Sequence, residues 1–592
     1  MKFQKVHDER RKCLLEQLRC IRYLARQGIP LRNVNETEGN LIQLMKLSTA
    51  LGMKRYLCDS DYQSPQINSE LLHEMYRMVM AELLSQIKAA VFYAIVIDET
   101  RDVSGIEQLS VVIRWVSDDY TVFEDLVGMH QADQCDANSL VKILKSVLQS
   151  LGLEFEHIRG QTYDGASVLQ GYKTGVAKQI LTINPRALPT HCLNHSLNLV
   201  LQEAGSVNTI VSGAFSVVQS VCSIVRASPK RLAIFKNIQS ATGGAAGTSI
   251  KPLCETRWCC RTSSLSSIIS NYEVLLNTLE AICDEGGSTE GAKAAPGLQA
   301  LMGKFVTVFG LKMCLLLFSP VEDMACHLQS KQLDASTVRV IKDSLLRYLN
   351  EMRSDEIFSK LFEDSKTMCS DLSLEQPSLP RRKRAPKKMR DYYGSLSTDH
   401  ACDTVEQYYK TQFFEVIDLL TTQIKDRFDQ DTLKYLISIE DLVVHAAKGE
   451  DIAIDQELED KIKQDLNVDG LKRELQILSK YIPEVDPSLK DVSSISTVID
   501  IMRKGKLVKM LSELHILLKL YLTVPLSNAT AERSFSALRR VKTYLRSRLT
   551  QAHLNHFIIL HCHKSLTDHI DLNAVMVNFV RANERRMKFF GL

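Results

Sequence analysis

The apolar positions of the chain change period twice. Over residues 1 to about 90 they recur at helical spacing, as at Leu71, Leu72, Met75, Met78 and Met80, and the segment predicts helices. At Val91 the pattern becomes VFYAIVID, a short apolar run rich in β-branched and aromatic residues, which predicts a strand buried on both faces. Two more strands are expected in LSVVIRWV, residues 109–116, and YTVFEDLVGMH, residues 120–130, separated by the polar turn Ser117, Asp118, Asp119. A helical stretch from Ala137 to Leu151 follows, then a strand around Phe155 to Gly160, a helix opening near Ala166 and a short strand before His191. From Asn194 to about Leu520 the helical period returns, and no strand run there compares with the first.

Three strands, helix, strand, helix, strand is the order of an RNase H-like core. The expected fold class is therefore α/β, an RNase H-like core interrupted by a large all-helical insertion domain and preceded by a helical N-terminal region. The expected divisions are residues 1–90 for the N-terminal helices, 91–205 for the first part of the core, 206–510 for the insertion and 511–592 for the C-terminal part of the core. The stretches SATGGAAGTSI, at 240–250, and DEGGSTEGAKAAPG, at 284–297, read as flexible loops, and 371–400 as a basic linker inside the insertion.

Composition narrows the setting. A chain of 592 residues, 45% hydrophobic and 24% charged, can bury a large core and should divide into several lobes. The charged start, MKFQKVHDERRKCLLEQLRC, does not read as a signal peptide, no uninterrupted run of eighteen apolar residues occurs, and no membrane is expected as a partner. The fifteen cysteines are scattered, odd in number and without paired CxxC knuckles, which points to a reducing compartment. Net charge is only +3, so a nucleic-acid partner must be argued from where the cations sit. They are densest in PSLPRRKRAPKKMRDYYG, where Arg381, Arg382, Lys383 and Arg384 open a run extending to Arg390 that holds no acid; prolines oppose a helix there. The run reads as a nuclear-localisation signal or phosphate-binding strip, or else as a solubilising loop.

Two carboxylates stand where a buried sheet presents groups to a cleft. Asp98 ends the first strand run, in IVIDETRD, and Asp164 follows the fourth, in GQTYDGAS. Each has an ordinary alternative, a strand-ending Asp that opens a turn and a helix N-cap respectively.

The order FYAIVIDETRDVSGIEQLSVVIRWV, GQTYDGASVLQGYKTGVAKQI, HCLNHSLNLVLQ, ETRW and PLSNATAERSFSALRRVKTYLRSRL resembles the landmarks of hAT superfamily transposases and proteins derived from them, most of all the zinc-finger MYM-type and DUF4371-like relatives. The resemblance covers roughly residues 90 to 565. It implies a DDE triad of Asp98, Asp164 and Glu532, the last in NATAERSFS, binding Mg²⁺ or Mn²⁺. Carboxylate oxygens are hard ligands, and two such ions roughly 3.5–4 Å apart assist in-line phosphodiester displacement. It further implies a base-handling role for Trp258, flanked by Arg257 in CETRWCCR, although residue type alone favours a core tryptophan.

Cys192 and His195 resemble the family's CxxH element. With no second ligand pair at compatible spacing, a packed or hydrogen-bonding structural role is expected of them rather than a zinc site. From Pro525 the chain reads as a capped helix with one apolar and one basic face, the latter including Arg539 and Arg540. The resemblance places the hAT dimerisation region here, so homo-oligomerisation and phosphate contact are implied. No zinc-finger Cys/His pairs occur in residues 1–90, where many hAT proteins carry a DNA-recognising finger. The expected function is metal-dependent DNA strand cleavage and transfer by a nuclear, DNA-binding, dimerising protein. The alternative is a domesticated, catalytically inactive nuclear DNA- and chromatin-binding protein.

Overall fold

In a computed structural model the described residues are 2–592 except 33–37, 51–61, 172–173, 243–248, 252–260, 286–289, 329–332, 380–403, 488 and 490–491. The described residues are mostly helical, of the α/β class, with one mixed five-stranded sheet near the N-terminus. It divides into two compact units, Met1–Cys192 with Gln430–Leu592, and Leu193–Asp429.

The first unit is organised by the sheet. Its strands are β1 (Tyr93–Arg101), β2 (Glu107–Val116), β3 (Val122–Gln131), β4 (Ile158–Tyr163) and β5 (Leu188–His191), in the spatial order β3-β2-β1-β4-β5. β1, β2 and β3 form an antiparallel meander, while β4 and then β5 add in parallel on the other side of β1. The run Tyr93–Ile97 is buried throughout, as its unbroken apolar sequence requires of a central strand covered on both faces. The expected fourth strand lies slightly later than its pattern suggested, because Phe155–His157 form a 3₁₀ turn before it.

Helices enclose the sheet. Ser64 caps the helix Pro65–Ala90 by accepting from the Ile67 amide, with proline at the first position, where its missing N–H costs nothing. One hydrophobic core joins residues 14–45, 71–187 and 531–590. The helix Lys2–Gln27 lies against the last helices of the chain: Arg10 Nη1 donates to the Phe589 carbonyl at 3.0 Å, and Arg22 Nη1 to that of Asp568 at 3.0 Å.

Residues 430–510 belong to this unit, whereas the sequence divisions assign them to the insertion. Polar contacts help to fasten them. Asp465 takes Arg159 of β4 and Arg186 at 2.7 and 2.8 Å, in a pair with Arg159 that is almost fully buried, and Thr432 donates to the Pro189 carbonyl of β5 at 2.6 Å.

The second unit is helical among its described residues. A cluster of Phe305, Phe309, Phe358, Phe362, Tyr409 and Phe413 fills part of its core. Two of its helices, Thr209–Arg226 and Phe305–His327, are long and apolar enough to cross a membrane. They pack on each other, with Phe215 and Phe318 stacked at 5.8 Å, as core helices do. The stretch read as a loop at 284–297 is helix from Glu290, the start of Glu290–Met302: its alanines favour helix despite Pro296.

Candidate active site

The parallel pairing of β1 and β4 sets Val96 opposite Thr162. Two residues on, Asp98 lies level with Asp164, the first residue beyond β4, and the period-2 alternation sends both side chains to the same face. Asp98 Oδ1 accepts from the Glu99 amide, and Asp164 Oδ1 from that of Ala166, each at 3.0 Å.

The third carboxylate arrives on the helix Ala529–Val541, which a series of polar contacts fastens to the sheet. At its start the Cys192 thiol donates to Asn528 Oδ1 at 2.9 Å and accepts from the Asn528 amide, while Thr162 donates to the Pro525 carbonyl at 2.9 Å. Within the first turn, the Thr530 hydroxyl donates to Glu124, whose carboxylate also takes Arg114 Nη1 at 2.8 Å in a buried pair between β2 and β3. Ser534 and Ser110 share a hydrogen bond of 2.9 Å, and Ser110 is the strand partner of Asp98. At the helix end, Lys542 and Asp102 form an ion pair with almost no exposed side-chain surface.

Electrostatics show what has been gathered. Burial pushes the Asp98 carboxyl well above its usual range, the negative charges of Asp164 and then Glu532 push it further, and the Glu99 amide offsets only part of this. Glu99 is raised to about 7 by burial, by Asp164 and by Glu107, and its Oε1 is buried without a hydrogen-bond partner among the described residues. Asp164 and Glu532, remote from Asp98 in sequence, thus act on its charge, and Asp164 acts on Glu99 as well. Among the described residues no group of three His, Cys, Asp or Glu side chains is arranged to hold a metal ion. The donor set nonetheless suits a divalent cation: it consists of hard carboxylate oxygens around a buried acid whose raised pKa a positive charge would relieve.

Other candidates fare differently. Arg539 and Arg540 are exposed on the last turn of the Glu532 helix. Cys192 is fully buried and serves the hydrogen bonds to Asn528, while His195 lies on the first turn of Leu193–Val207 in the second unit. Trp258, Arg257, Arg381, Arg382, Lys383 and Arg384 lie outside the described residues.

Sequence reasoning passed over the groups that seat the helix, namely Arg114, Glu124, Ser110 and the Asp102–Lys542 pair. The signal for two of them was present. An arginine inside LSVVIRWV and a glutamate inside YTVFEDLVGMH are charged residues in buried strands, which must be paired to be tolerated.

Comparison with known proteins finds two matched regions in the chain. Residues 1–175 match the model described as DUF4371, ZMYM1/FAM200, RNase-like domain, and residues 507–562 match the hAT family C-terminal dimerisation region. The proteins named "52 kDa repressor of the inhibitor of the protein kinase" from Mus musculus and Homo sapiens are 25% and 26% identical to the chain over 512 and 513 residues. Each match covers 83% of the chain and 65% or 64% of the relative, so the chain spans just under two thirds of these curated relatives. By these two matched regions, the chain is homologous to proteins derived from hAT transposases.

Proposed function

We propose that the first unit is an RNase H-like core that carries out metal-dependent phosphodiester cleavage and transfer on DNA, with Asp98, Asp164 and Glu532 as its ligand carboxylates. The observation that carries this reading is the raised pKa of buried Asp98 under the charges of Asp164 and Glu532, three acids delivered to one place from β1, the end of β4 and a helix over 360 residues further along. The strand order, a three-stranded meander followed by two parallel strands, supports it. Mg²⁺ or Mn²⁺ held by these residues would supply an activated water or 3′-hydroxyl and stabilise the leaving oxygen. The chain's own part is to fix the carboxylates: strand register sets Asp98 against Asp164, and the contacts of Thr530, Ser534 and Lys542 set the height of Glu532 over the sheet.

DNA enters this reading through the cations, both the exposed Arg539 and Arg540 and the Arg381–Arg390 run, which would also serve nuclear entry. Homo-oligomerisation is proposed from the match to the hAT dimerisation region. A nicking assay on hairpin-forming DNA with Mn²⁺ tests the chemistry. Wild-type chain should nick, and Asp98→Asn or Glu532→Gln should lower the rate by about 100-fold or more, as removal of a transition-state-stabilising group does. Unchanged nicking by either variant sinks the assignment.

A second reading is favoured by two observations. The relatives carry the word repressor in their names, and the carboxylates are gathered without forming a ligand group. In this reading the chain is a domesticated nuclear protein that binds DNA and chromatin-associated proteins as a dimer and is catalytically silent. A wild-type chain that binds DNA, self-associates and never nicks would establish it.

A further inference from the structure

Tyr544 is 88% exposed, the most exposed large hydrophobic side chain among the described residues. The backbone on either side of it is pinned. Two residues before it, Lys542 is locked to Asp102; three residues after it, the Ser547 carbonyl accepts from the Ser104 hydroxyl at 2.9 Å; and between them the Arg546 guanidinium lies 4.6 Å from the centre of the Phe557 ring. The ring is therefore held out in water by a fixed 3₁₀ turn, Tyr544–Arg546. Around it the chain is wholly cationic: Arg533, Arg539, Arg540, Lys542, Arg546 and Arg548 fall between residues 533 and 550 without one acid. Arg539, Arg540 and Arg548 are exposed and form no ion pair among the described residues.

The position of the turn relative to the acidic site follows from two independent counts. Ser534, hydrogen-bonded to the strand partner of Asp98, precedes Lys542 by eight helical residues, which at 1.5 Å each is about 12 Å. Along β1, Asp98 precedes Asp102 by four residues, about 13 Å at strand rise. The Lys542–Asp102 pair at the foot of the turn thus stands about 12–13 Å along from the site, a span of a few nucleotides of one strand.

We propose that Tyr544, with Arg548 beside it, is a stacking platform for an unpaired base of a DNA strand whose backbone leads to the acidic site. The proposal rests on the reading of that site as acting on DNA. An exposed ring accepts the face of any base, and arginines with no acid of their own take the phosphates. A second copy of the chain fits less well, because a two-fold contact would bring the same arginine-rich patch against itself.

Binding of a labelled single-stranded oligonucleotide, and of a blunt duplex of the same sequence, by the full chain in EDTA tests this without cleavage. Tyr544→Ala should weaken single-strand binding by about 5- to 150-fold, the worth of one base–aromatic stack, and leave duplex binding and sedimentation unchanged. Tyr544→Phe should retain wild-type affinity, and Arg548→Gln should reduce the salt slope on single strands by about 0.7. The proposal is overturned by equal loss on both DNAs, by unchanged single-strand affinity or by absence of single-strand binding in wild type. It is also overturned by a fall in sedimentation mass for Tyr544→Ala, which would assign the ring to a second copy. Failure of the cleavage reading shows separately, as Asp98→Asn without effect on nicking, and leaves these affinities as they are.

Discussion

Asp98 is buried beside two further carboxylates, and such an acid lowers stability unless it is protonated or met by a cation. Its pKa is raised in the folded state, so the native chain holds more protons than the unfolded one. Its contribution to stability is then greatest below the ordinary carboxyl range and is lost as pH rises through the raised value. Glu99 adds a second fall as pH passes about 7. Without divalent ions, Asp98→Asn should therefore raise the melting temperature at pH 7–8 by a few degrees while abolishing nicking, and Mn²⁺ should raise that of wild type more than that of the variant. A thermal melt with and without Mn²⁺ decides this, and equal gains in both proteins would remove Asp98 from the ion's surroundings. Asp102 behaves in the opposite way. Burial pulls its pKa up, but Lys542 and the amides of Ser104 and Ile106 outweigh burial and hold it below the usual range. Its contribution is complete above the unfolded carboxyl pKa and is lost as pH falls through the depressed one. Asp102→Ala should cost about 3–5 kcal/mol in denaturant unfolding at neutral pH by stranding Lys542, and adding Lys542→Met should recover part of that loss.

At the scale of elements, what can be read in sequence depends on whether the cause is local. The run VFYAIVID states a buried strand by itself, and NATAERSFS a helix, because hydrophobic period acts within a few residues. The register of β1 against β4, which sets Asp98 level with Asp164, depends on pairing across some sixty residues, and so do the seats of Thr530 and Ser534. The line between the two units at Asp429 was illegible for another reason: helices on either side of it share the same period, and only partners such as Asp465 for Arg159 reveal which unit a helix joins. The Ser110–Ser534 bond supplies a test of how the Glu532 helix is seated. A double-mutant cycle of Ser110→Ala and Ser534→Ala should give a coupling of about 0.5–1.5 kcal/mol in unfolding. Zero coupling would mean that the helix is seated by its other contacts alone.

For the molecule as a whole, the first unit is assembled from both flanks of the second. Leu554, Phe557, Ile558, Ile559 and Leu560, within the stretch matched to the dimerisation region, are buried inside this unit, so truncation near residue 505 would strip core as well as any interface. Self-association is better tested with exposed single substitutions followed by sedimentation. The second unit, with its own aromatic core, should fold when residues 193–429 are expressed alone. Circular dichroism should then show a helical protein with a cooperative melt, and a non-cooperative melt would refute its independence.

The discontinuous core also fixes an order of events during synthesis. β1 to β5 emerge from the ribosome some 340 residues ahead of the helix that seats Glu532, and at roughly 5–20 residues per second they wait tens of seconds for it. The second unit, continuous in sequence, can complete in that interval. The nascent sheet meanwhile presents apolar faces and an open β3 edge, the features that chaperones recognise and that aggregate when unattended. Chains arrested once residue 429 has cleared the exit tunnel should therefore hold a protease-resistant second unit and a protease-sensitive sheet, and the sheet should gain resistance only once residues 529–590 have cleared the tunnel.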